Sequence, residues 1–475
     1  MTGSEAAVKT RFAPSPTGRM HVGNARTALF NYLFARHLGG RFVLRMEDTD
    51  PERSQEVFVQ ALEEDLRWMG LAWDEGPDID GGHGPYRQSQ RTALYQDYYR
   101  RLDQAGHTYP CYCSPQELAL SRKRQLATGR PPRYEGTCAH LSEAERQARL
   151  SSGRQPTIRF RVPAGEQIQF EDLVRGTQVF ETDHIGDFII RRADGTFAFF
   201  FCNALDDALM GITHVLRGED HLTNTPRQQL ILNALALPIP GYGHLPLIVG
   251  ADGAPLSKRN GSRSVVELRE EGFLAVGINN YLSRLGHRLD DEALLEPDLL
   301  AKAFDLGAIG RSPSRFDENH LRHWQKLAVA AVDDATLVAW AGDALARVPP
   351  PARQAFFEVV RPNATFPDDI GQWADLIYGQ LSDWTAAGEI LKEAGPDFFR
   401  AAVEALDTHG SDASALTTHV KAVTGKRGRS LFMPLRLALT MREDGPEFRT
   451  LLALIPAEEV RRRLEACAQI AASGS

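Results

Sequence analysis

The sequence predicts an α/β protein: a doubly wound parallel sheet, interrupted by a small inserted domain and followed by an all-helical C-terminal part. Three observations predict it. Near the N-terminus a strand, a turn, a helix and a second strand follow one another, which is the right-handed βαβ unit of a parallel sheet. From about residue 106 to 200 the composition shifts to clustered cysteines, a Pro131-Pro132 break and several short β-like runs. From about residue 325 onward nearly every segment carries apolar residues at helical spacing.

Taken in order, Val8 to Phe12 reads as a buried strand, and Pro14, Pro16 and Gly18 break it into a turn. From Val22, the residues Ala25, Leu29 and Leu33 keep helical period until Gly39-Gly40. Phe42, Leu44 and Met46 alternate as a second strand that ends in Glu47-Asp48-Thr49-Asp50. Pro51 to Gly70 and Thr92 to Ala105 are predicted helices, separated by a Gly- and Pro-rich loop carrying Tyr86, Arg87 and Gln88. In the insertion, strands are expected at Thr157–Val162, Gln178–Glu181 and Phe188–Arg192. The main sheet is expected to resume with Phe197–Phe201 and Thr213–Leu216, and to end with Leu245–Val249. Thr225 is expected to cap a helix begun by Pro226 and running to about Ala236, and Asp206-Asp207 to start a short helix. Two helices follow near Val265–Glu271 and Leu274–Leu285. The helical part is read as Ala335–Arg347, Pro351–Val360, Trp373–Leu381, Phe398–Leu406, Ala413–Thr424, Arg436–Met441 and Pro456–Ala472.

A chain of 475 residues is too long for one core. Its 43% hydrophobic and 24% charged content is that of a globular protein, and no apolar run nears the roughly 20 residues that cross a bilayer. The first residues lack the basic-then-apolar order of a secretory signal, so the expected setting is the cytoplasm, with no membrane partner. A formal net charge of −8 excludes a protein that coats nucleic acid indiscriminately, but a local basic stripe would still suffice for a specific RNA. Of five cysteines, Cys111, Cys113 and Cys138 cluster, and in a cytosolic chain this points to metal rather than disulfides. The pairs Cys111-x-Cys113 and Cys138-x-His140, with 24 residues between them, suit a closed tetrahedral zinc site, and Tyr134 rivals His140 for the fourth position.

His21 and Gly23 stand where the first turn enters the first helix. Free backbone N–H groups, the positive end of the helix dipole and a glycine that admits close approach suit an anion there. Alone, His21-Val22-Gly23-Asn24 would be an ordinary Pro-rich turn. The longer string Ala13-Pro14-Ser15-Pro16-Thr17-Gly18-Arg19-Met20-His21-Val22-Gly23, followed far downstream by Pro255-Leu256-Ser257-Lys258-Arg259, resembles the HIGH and KMSKS signatures of class I aminoacyl-tRNA synthetases in their bacterial glutamyl form. Arg45-Met46-Glu47-Asp48-Thr49-Asp50 and Asp206-Asp207 stand between the two in the matching order. Three positions depart from the family's pattern: Asn24 replaces the second His, Pro255 a usual Lys and Phe199 a usual Tyr.

The resemblance implies ATP-dependent ligation of L-glutamate to the 3′ end of tRNA-Glu through glutamyl-adenylate. Mg²⁺ would accompany ATP, and the chain is expected to act as a monomer. It implies catalytic roles for His21 and Lys258, with Pro16, Gly18, Gly23, Asn24, Ser257 and Arg259 completing an ATP site. A glutamate pocket would comprise Arg11, Ala13, Ser15, Glu47, Phe199, Asn203 and Arg217. Arg11 is the expected cation for the side-chain carboxylate, since guanidinium binds carboxylate bidentately, and Glu47 would face the ammonium. The zinc knuckle resembles that of many bacterial glutamyl enzymes and would serve structure alone.

The implied organisation is a Rossmann-like catalytic domain in two pieces, 1–105 and 201–260, around an acceptor-end domain at 106–200. A stem-contact segment follows at 261–324 and a helical anticodon-binding half at 325–475. Expected RNA contacts are Arg311, Arg315, Arg322 and His323, then Lys421, Lys426, Arg427, Arg429 and Arg436. In the connection Arg361-Pro362-Asn363-Ala364-Thr365 a single arginine precedes the next helix, which suggests relaxed reading of the anticodon and charging of tRNA-Gln as well. Two rival readings are a truncated paralogue that glutamylates a modified tRNA base and a catalytically impaired paralogue that binds tRNA.

Overall fold

The computed structural model describes residues 7–50, 53–256 and 261–473, and divides into two units, Met1–Arg269 with Ile278–Glu318, and Glu270–Gly277 with Asn319–Ser475. In the first unit, strand β1 (Lys9–Phe12), helix α1 (Val22–His37) and strand β2 (Arg41–Leu44) form the expected βαβ unit, with β1 and β2 parallel in register Lys9 to Arg41. Helix α1 is buried along most of its length, which explains why its apolar residues show little one-sided pattern. Asn31 ties it down at mid-helix: its carbonyl accepts from Thr10 Oγ1 and its Nδ2 donates to the Leu216 carbonyl. Helix α2 (Glu56–Trp68) starts later than the sequence suggests, and α3 (Thr92–Gln104) falls as expected.

The insertion carries β3 (Thr108–Cys111), helices α4 (Pro115–Ala127) and α5 (Glu143–Ser151), and strands β4 (Thr157–Phe160), β5 (Gln167–Asp172), β6 (Gly176–Glu181) and β7 (Phe188–Arg191), with the single turn α6 (Thr182–Ile185) before β7. Ser114 and Ser142 each form a reciprocal capping box, with Glu117 and Glu145, which starts α4 and α5 without a buried face to hold them. Strands β3, β4 and β7 make an antiparallel sheet. The hairpin β5–β6 instead joins the edge of the parallel pair formed by β8 (His214–Gly218) and β9 (Gly241–Leu245), giving the order β6-β5-β9-β8. Lys9 and Thr213 exchange hydrogen bonds between β1 and the residue before β8.

Several sequence expectations are corrected. Phe197–Phe201 is not a strand; α7 (Phe199–Leu209) begins inside it. A short run that is apolar on every side has no period by which strand and buried helix differ, and Phe201, Cys202, Ala204 and Leu205 are all buried here. Asp206 and Asp207 therefore lie inside α7 rather than at its start. Thr225 is the first residue of α8 (Thr225–Ala234), not its cap, because its hydroxyl is engaged by Arg217 and His244. Leu245–Val249 is divided between β9 and the two-residue β10 (Ile248–Val249) by Pro246, which cannot donate to a ladder. Beyond it lie α9 (Val265–Glu271), α10 (Ala275–Arg284), α11 (Pro297–Ala303) and the two-residue β11 (Ser314–Arg315), which pairs with β10.

The second unit is helical among its described residues. It runs through α12 (Glu318–Ala331), α13 (Asp334–Ala341), α14 (Arg353–Val360), α15 (Pro367–Tyr378), α16 (Gly388–Ala394), α17 (Pro396–His409), α18 (Ala413–Thr424), α19 (Arg429–Thr440), α20 (Phe448–Leu454) and α21 (Ala457–Ala472). Its core gathers Phe356, Trp373, Leu391, Phe398, Phe399, Leu416, Leu451 and Leu464. Helix α13 stops six residues earlier than the pattern suggests, where Gly342 takes a positive φ of 49°. Helix α19 starts seven residues earlier and carries Pro434 inside it. Among the described residues no helix is long and apolar enough to cross a membrane.

Candidate functional site

A cleft of about 460 Å³ opens in the first unit between the loop after β1, the start of α1, the start of α7 and the end of β8. All of the residues expected to hold glutamate line it: Arg11, Ala13, Ser15, Glu47, Phe199, Asn203 and Arg217. Of the expected ATP residues, His21, Gly23 and Asn24 line it, whereas Pro16, which is buried, and Gly18 do not. Ser257, Lys258 and Arg259 lie outside the described residues.

His21 precedes α1 in extended conformation and provides no side-chain cap. Its carbonyl accepts from the Ala25 N–H, and the Val22 N–H is taken by the Arg263 carbonyl. The N–H groups of Gly23 and Asn24 have no partner among the described residues, and no acidic residue stands in the first turn. Two free donors and the positive end of a 16-residue helix therefore face the cleft. Gly23 makes room for the histidine: a Cβ there would come within 3.2 Å of His21 Nδ1. Partial burial lowers the His21 pKa, so at neutral pH the ring is uncharged and offers one N–H.

Beneath the cleft lies a buried network of charge. Arg11 donates Nε to Asp207 Oδ1 at 3.1 Å, and Arg45, fully buried, donates Nη1 to the same oxygen at 2.7 Å and Nη2 to Glu47 Oε1 at 3.0 Å. Asp206 accepts from Arg91 Nε at 2.7 Å, Tyr95 Oη at 2.7 Å and Gln88 Nε2 at 2.9 Å. Burial would raise the Asp207 pKa, but Arg11 and Arg45 outweigh it and hold the carboxyl below its usual range. For Glu47 and Asp206 burial prevails over their arginine partners and the pKa is raised. Arg11, the expected substrate cation, thus already faces a carboxylate.

Arg217 does not. It donates Nε to His244 Nε2 at 3.2 Å, and Nη2 to Thr225 Oγ1 at 2.8 Å and Gln228 Oε1 at 2.7 Å, all uncharged acceptors. Its Nη1 is buried and has no hydrogen-bond partner among the described residues. Burial drives the guanidinium pKa down to about 10, and the more distant charges of Asp207 and Glu47 offset it only in part. Sequence reading took Thr225 for a helix cap and missed Gln228 and His244. The first two stand three residues apart, on one face of α8, which is the signal that could have paired them. Asp206 and Asp207, read as possible caps, are charge partners instead, and Gln88, Arg91 and Tyr95 were not singled out as theirs. Phe199 stands 5.7 Å from the His221 ring at the cleft wall.

In the insertion, the sulfur atoms of Cys111, Cys113 and Cys138 lie within 4.8 Å of one another. Tyr134 joins them: its hydroxyl is 3.3 Å from Cys111 Sγ and 3.7 Å from Cys113 Sγ, and accepts from the Cys138 N–H at 2.9 Å. His140 does not join the group. The turn closed by the Ala139 N–H and the Gly136 carbonyl buries Ala139 and leaves His140 exposed. Burial raises the Cys113 thiol to about 12, while for Cys111 bonds from Tyr134 and Arg159 outweigh burial and lower it. Three sulfurs this close ionise together only around a cation, so the donor set fits a zinc ion.

Of the expected RNA contacts, Arg315, His323, Lys421, Arg427 and Arg429 are exposed. Arg311 donates Nε to the Val174 carbonyl, and Lys426 donates to the Glu393 carbonyl. Arg361 pairs with Asp334 at 2.5 Å, leaving Asn363 as the exposed polar side chain of its connection.

A family model described as tRNA synthetases class I (E and Q), catalytic domain, matches residues 7–323. One described as anticodon binding domain matches residues 323–468, the half that a truncated paralogue would lack. The chain is 57% identical over 470 residues to glutamate–tRNA ligase 2 of Alkalilimnicola ehrlichii, covering 98% of each chain. It is 56% identical over 468 residues to glutamate–tRNA ligase 2 of Nitrosococcus oceani, covering 98% of this chain and 99% of that protein. A crystal structure of a glutamate tRNA ligase from Elizabethkingia meningosepticum in complex with its amino acid superposes with a TM-score of 0.88 at 28% identity, covering 98% of this chain and 99% of that one.

Proposed function

Because this chain belongs to the class I tRNA synthetases for glutamate and glutamine, and joins glutamate to tRNA in an ATP-dependent reaction, we propose that both steps take place in the cleft between His21 and Arg217. In the first step the α-carboxylate of glutamate attacks the α-phosphorus of ATP, and pyrophosphate leaves. In the second a ribose hydroxyl of the tRNA 3′ end attacks the activated carbonyl, and AMP leaves. Both steps need positioning and positive charge more than covalent help. The Gly23 and Asn24 N–H groups and the His21 ring meet the phosphates, and Lys258 supplies a further cation.

The observation that carries the reading is Arg217: a buried guanidinium at the cleft wall whose Nη1 has no hydrogen-bond partner, and which pairs directly with no carboxylate, among the described residues. The substrate's side-chain carboxylate is the missing anion, with Arg11 beside it. Glu47, whose Oε2 has no protein donor among the described residues, takes the ammonium. ATP enters as its Mg²⁺ complex. Zinc, held by Cys111, Cys113, Cys138 and Tyr134, would brace the insertion without entering the chemistry. The chain acts as a monomer, and ATP and tRNA as substrates support the cytoplasm. Residues 106–200 receive the acceptor end and 325–475 the anticodon. Both tRNA-Glu and tRNA-Gln are charged, because the Arg361–Asp334 pair leaves short, permissive Asn363 to meet the anticodon.

The test is single-turnover adenylate formation with tRNA present. His21→Ala and Lys258→Ala should each slow it by about 10²–10³ with tRNA affinity retained. Rates within about threefold of the parent would reject the assignment.

A further inference from the structure

We propose that Asp172 and His244 are positioning residues that keep Arg217 charged, un-neutralised and aimed into the cleft, and thereby make the site prefer a carboxylate over the neutral amide of the same shape. The inference rests on the reading that Arg217 receives the substrate's side-chain carboxylate.

The chain of contacts runs through three strands. Asp172 ends β5, His244 lies in β9 and Arg217 in β8, and all three side chains are buried. Asp172 Oδ1 accepts backbone N–H groups from Val174 at 3.0 Å, Arg175 at 2.8 Å and His244 at 3.2 Å. Its other oxygen, Oδ2, meets His244 Nδ1 at 2.5 Å. An ionised carboxylate has no proton to give, so Nδ1 carries the proton and donates it. Nε2 is then a lone pair, and Arg217 Nε donates to it at 3.2 Å. Thr225 Oγ1, 3.1 Å from Nε2, can donate there as well while it accepts from Arg217 Nη2.

The two cleft arginines make the contrast. Arg11 meets Asp207 directly, through Nε at 3.1 Å and Nη2 at 3.5 Å, so its charge is largely answered within the protein. Arg217 meets an imidazole where Arg11 meets a carboxylate. The ring orients the guanidinium through a neutral acceptor, a weaker bond than an acid would make, and so leaves its positive charge to the ligand. The acid is held one residue back, where it sets the tautomer. A neutral glutamine would have to leave this charge unanswered in a buried site, which is the kind of mismatch that discriminates strongly.

Asp172→Asn is the informative variant. The three backbone donors hold the amide oxygen at the Oδ1 position, so the amide NH₂ must face His244 Nδ1. The ring proton then moves to Nε2, where it opposes Arg217 Nε–H, the same loss by wrong tautomer known for the serine-protease aspartate. In ATP–pyrophosphate exchange with tRNA present, KM for glutamate should rise about tenfold or more, KM for ATP should stay within about twofold, and inhibition by glutamine should weaken far less than glutamate binding does. A folded Asp172→Asn enzyme with glutamate KM within about threefold of the parent would overturn the proposal. Should that variant not fold, His244→Gln and His244→Leu decide. The glutamine amide spans the two ring-nitrogen positions and should keep glutamate affinity, whereas leucine should lose it; equal behaviour of the two would overturn the proposal. Arg217→Ala separates the layers. If it too leaves KM for glutamate unchanged, the carboxylate reading of Arg217 fails; if it raises KM while Asp172→Asn does not, only the positioning pair fails.

Discussion

Asn203 Nδ2 donates to Glu47 Oε1 at 2.5 Å, joining α7 to the residue three places beyond the end of β2. The carbonyl oxygen of the same Asn203 accepts from Gln228 Nε2 at 2.6 Å, and Gln228 Oε1 in turn accepts from Arg217. Two amides in series, Asn203 and Gln228, thus link the acid assigned to the substrate's ammonium with the cation assigned to its carboxylate.

Asn203→Asp should break this link in one direction only. The oxygen toward Gln228 is kept, while the donor toward Glu47 becomes a second carboxylate oxygen. Repulsion beside an already desolvated Glu47 should raise KM for glutamate at least about tenfold and cost about 1–3 kcal/mol of stability. Steady-state exchange and urea unfolding measure the two; a glutamate KM within about twofold of the parent would refute the role.

A stability test addresses Asp65 on α2, which is 2% exposed. Burial raises its pKa from 3.8 to about 6, with Arg269 opposing only in part. An acid whose folded pKa exceeds its unfolded one keeps its proton longer when native. Stability contributed through this group is therefore lost as pH rises from about 4 to 6, and stays lost above. Asp65→Asn should be more stable than the parent by about 1–3 kcal/mol at pH 7 and no more stable below about pH 4. Paired unfolding curves at the two pH values check it, and an equal difference at both would contradict it.

Elemental analysis of protein purified without added metal should find about one zinc per chain. Tyr134→Phe should lower that content and His140→Ala should not, because Tyr134 rather than exposed His140 approaches the sulfurs. Absence of zinc, with an unchanged fold in Cys113→Ala, would reject the site.

Charging assays with separate tRNA-Glu and tRNA-Gln transcripts test anticodon reading. Asn363 is exposed and Arg361 is held by Asp334 and the Ala330 carbonyl, so both transcripts should be charged. A kcat/KM for tRNA-Gln more than about 10⁴-fold below that for tRNA-Glu would establish strict discrimination instead.

What the sequence determined by itself is what local rules and short strings can carry. The βαβ unit was legible because strand, turn and helix periods change within 40 residues and Pro and Gly mark each change. The residues of the cleft's rim were legible because they lie in one string, Arg11 to Asn24, or beside it in the resemblance. Tertiary structure decided what those residues have as partners. Arg11 and Arg217 look alike in sequence, but Asp207 reaches the first and His244 the second, across separations of 196 and 27 residues. No local period records such pairings, because buried charge is governed by whichever group the packing brings within a few ångströms. The same holds for the β5–β6 hairpin, whose alternation gives no sign that it will extend the parallel sheet. It holds also for Tyr134, which spacing ranked level with His140 until a four-residue turn buried Ala139 and left His140 in solvent.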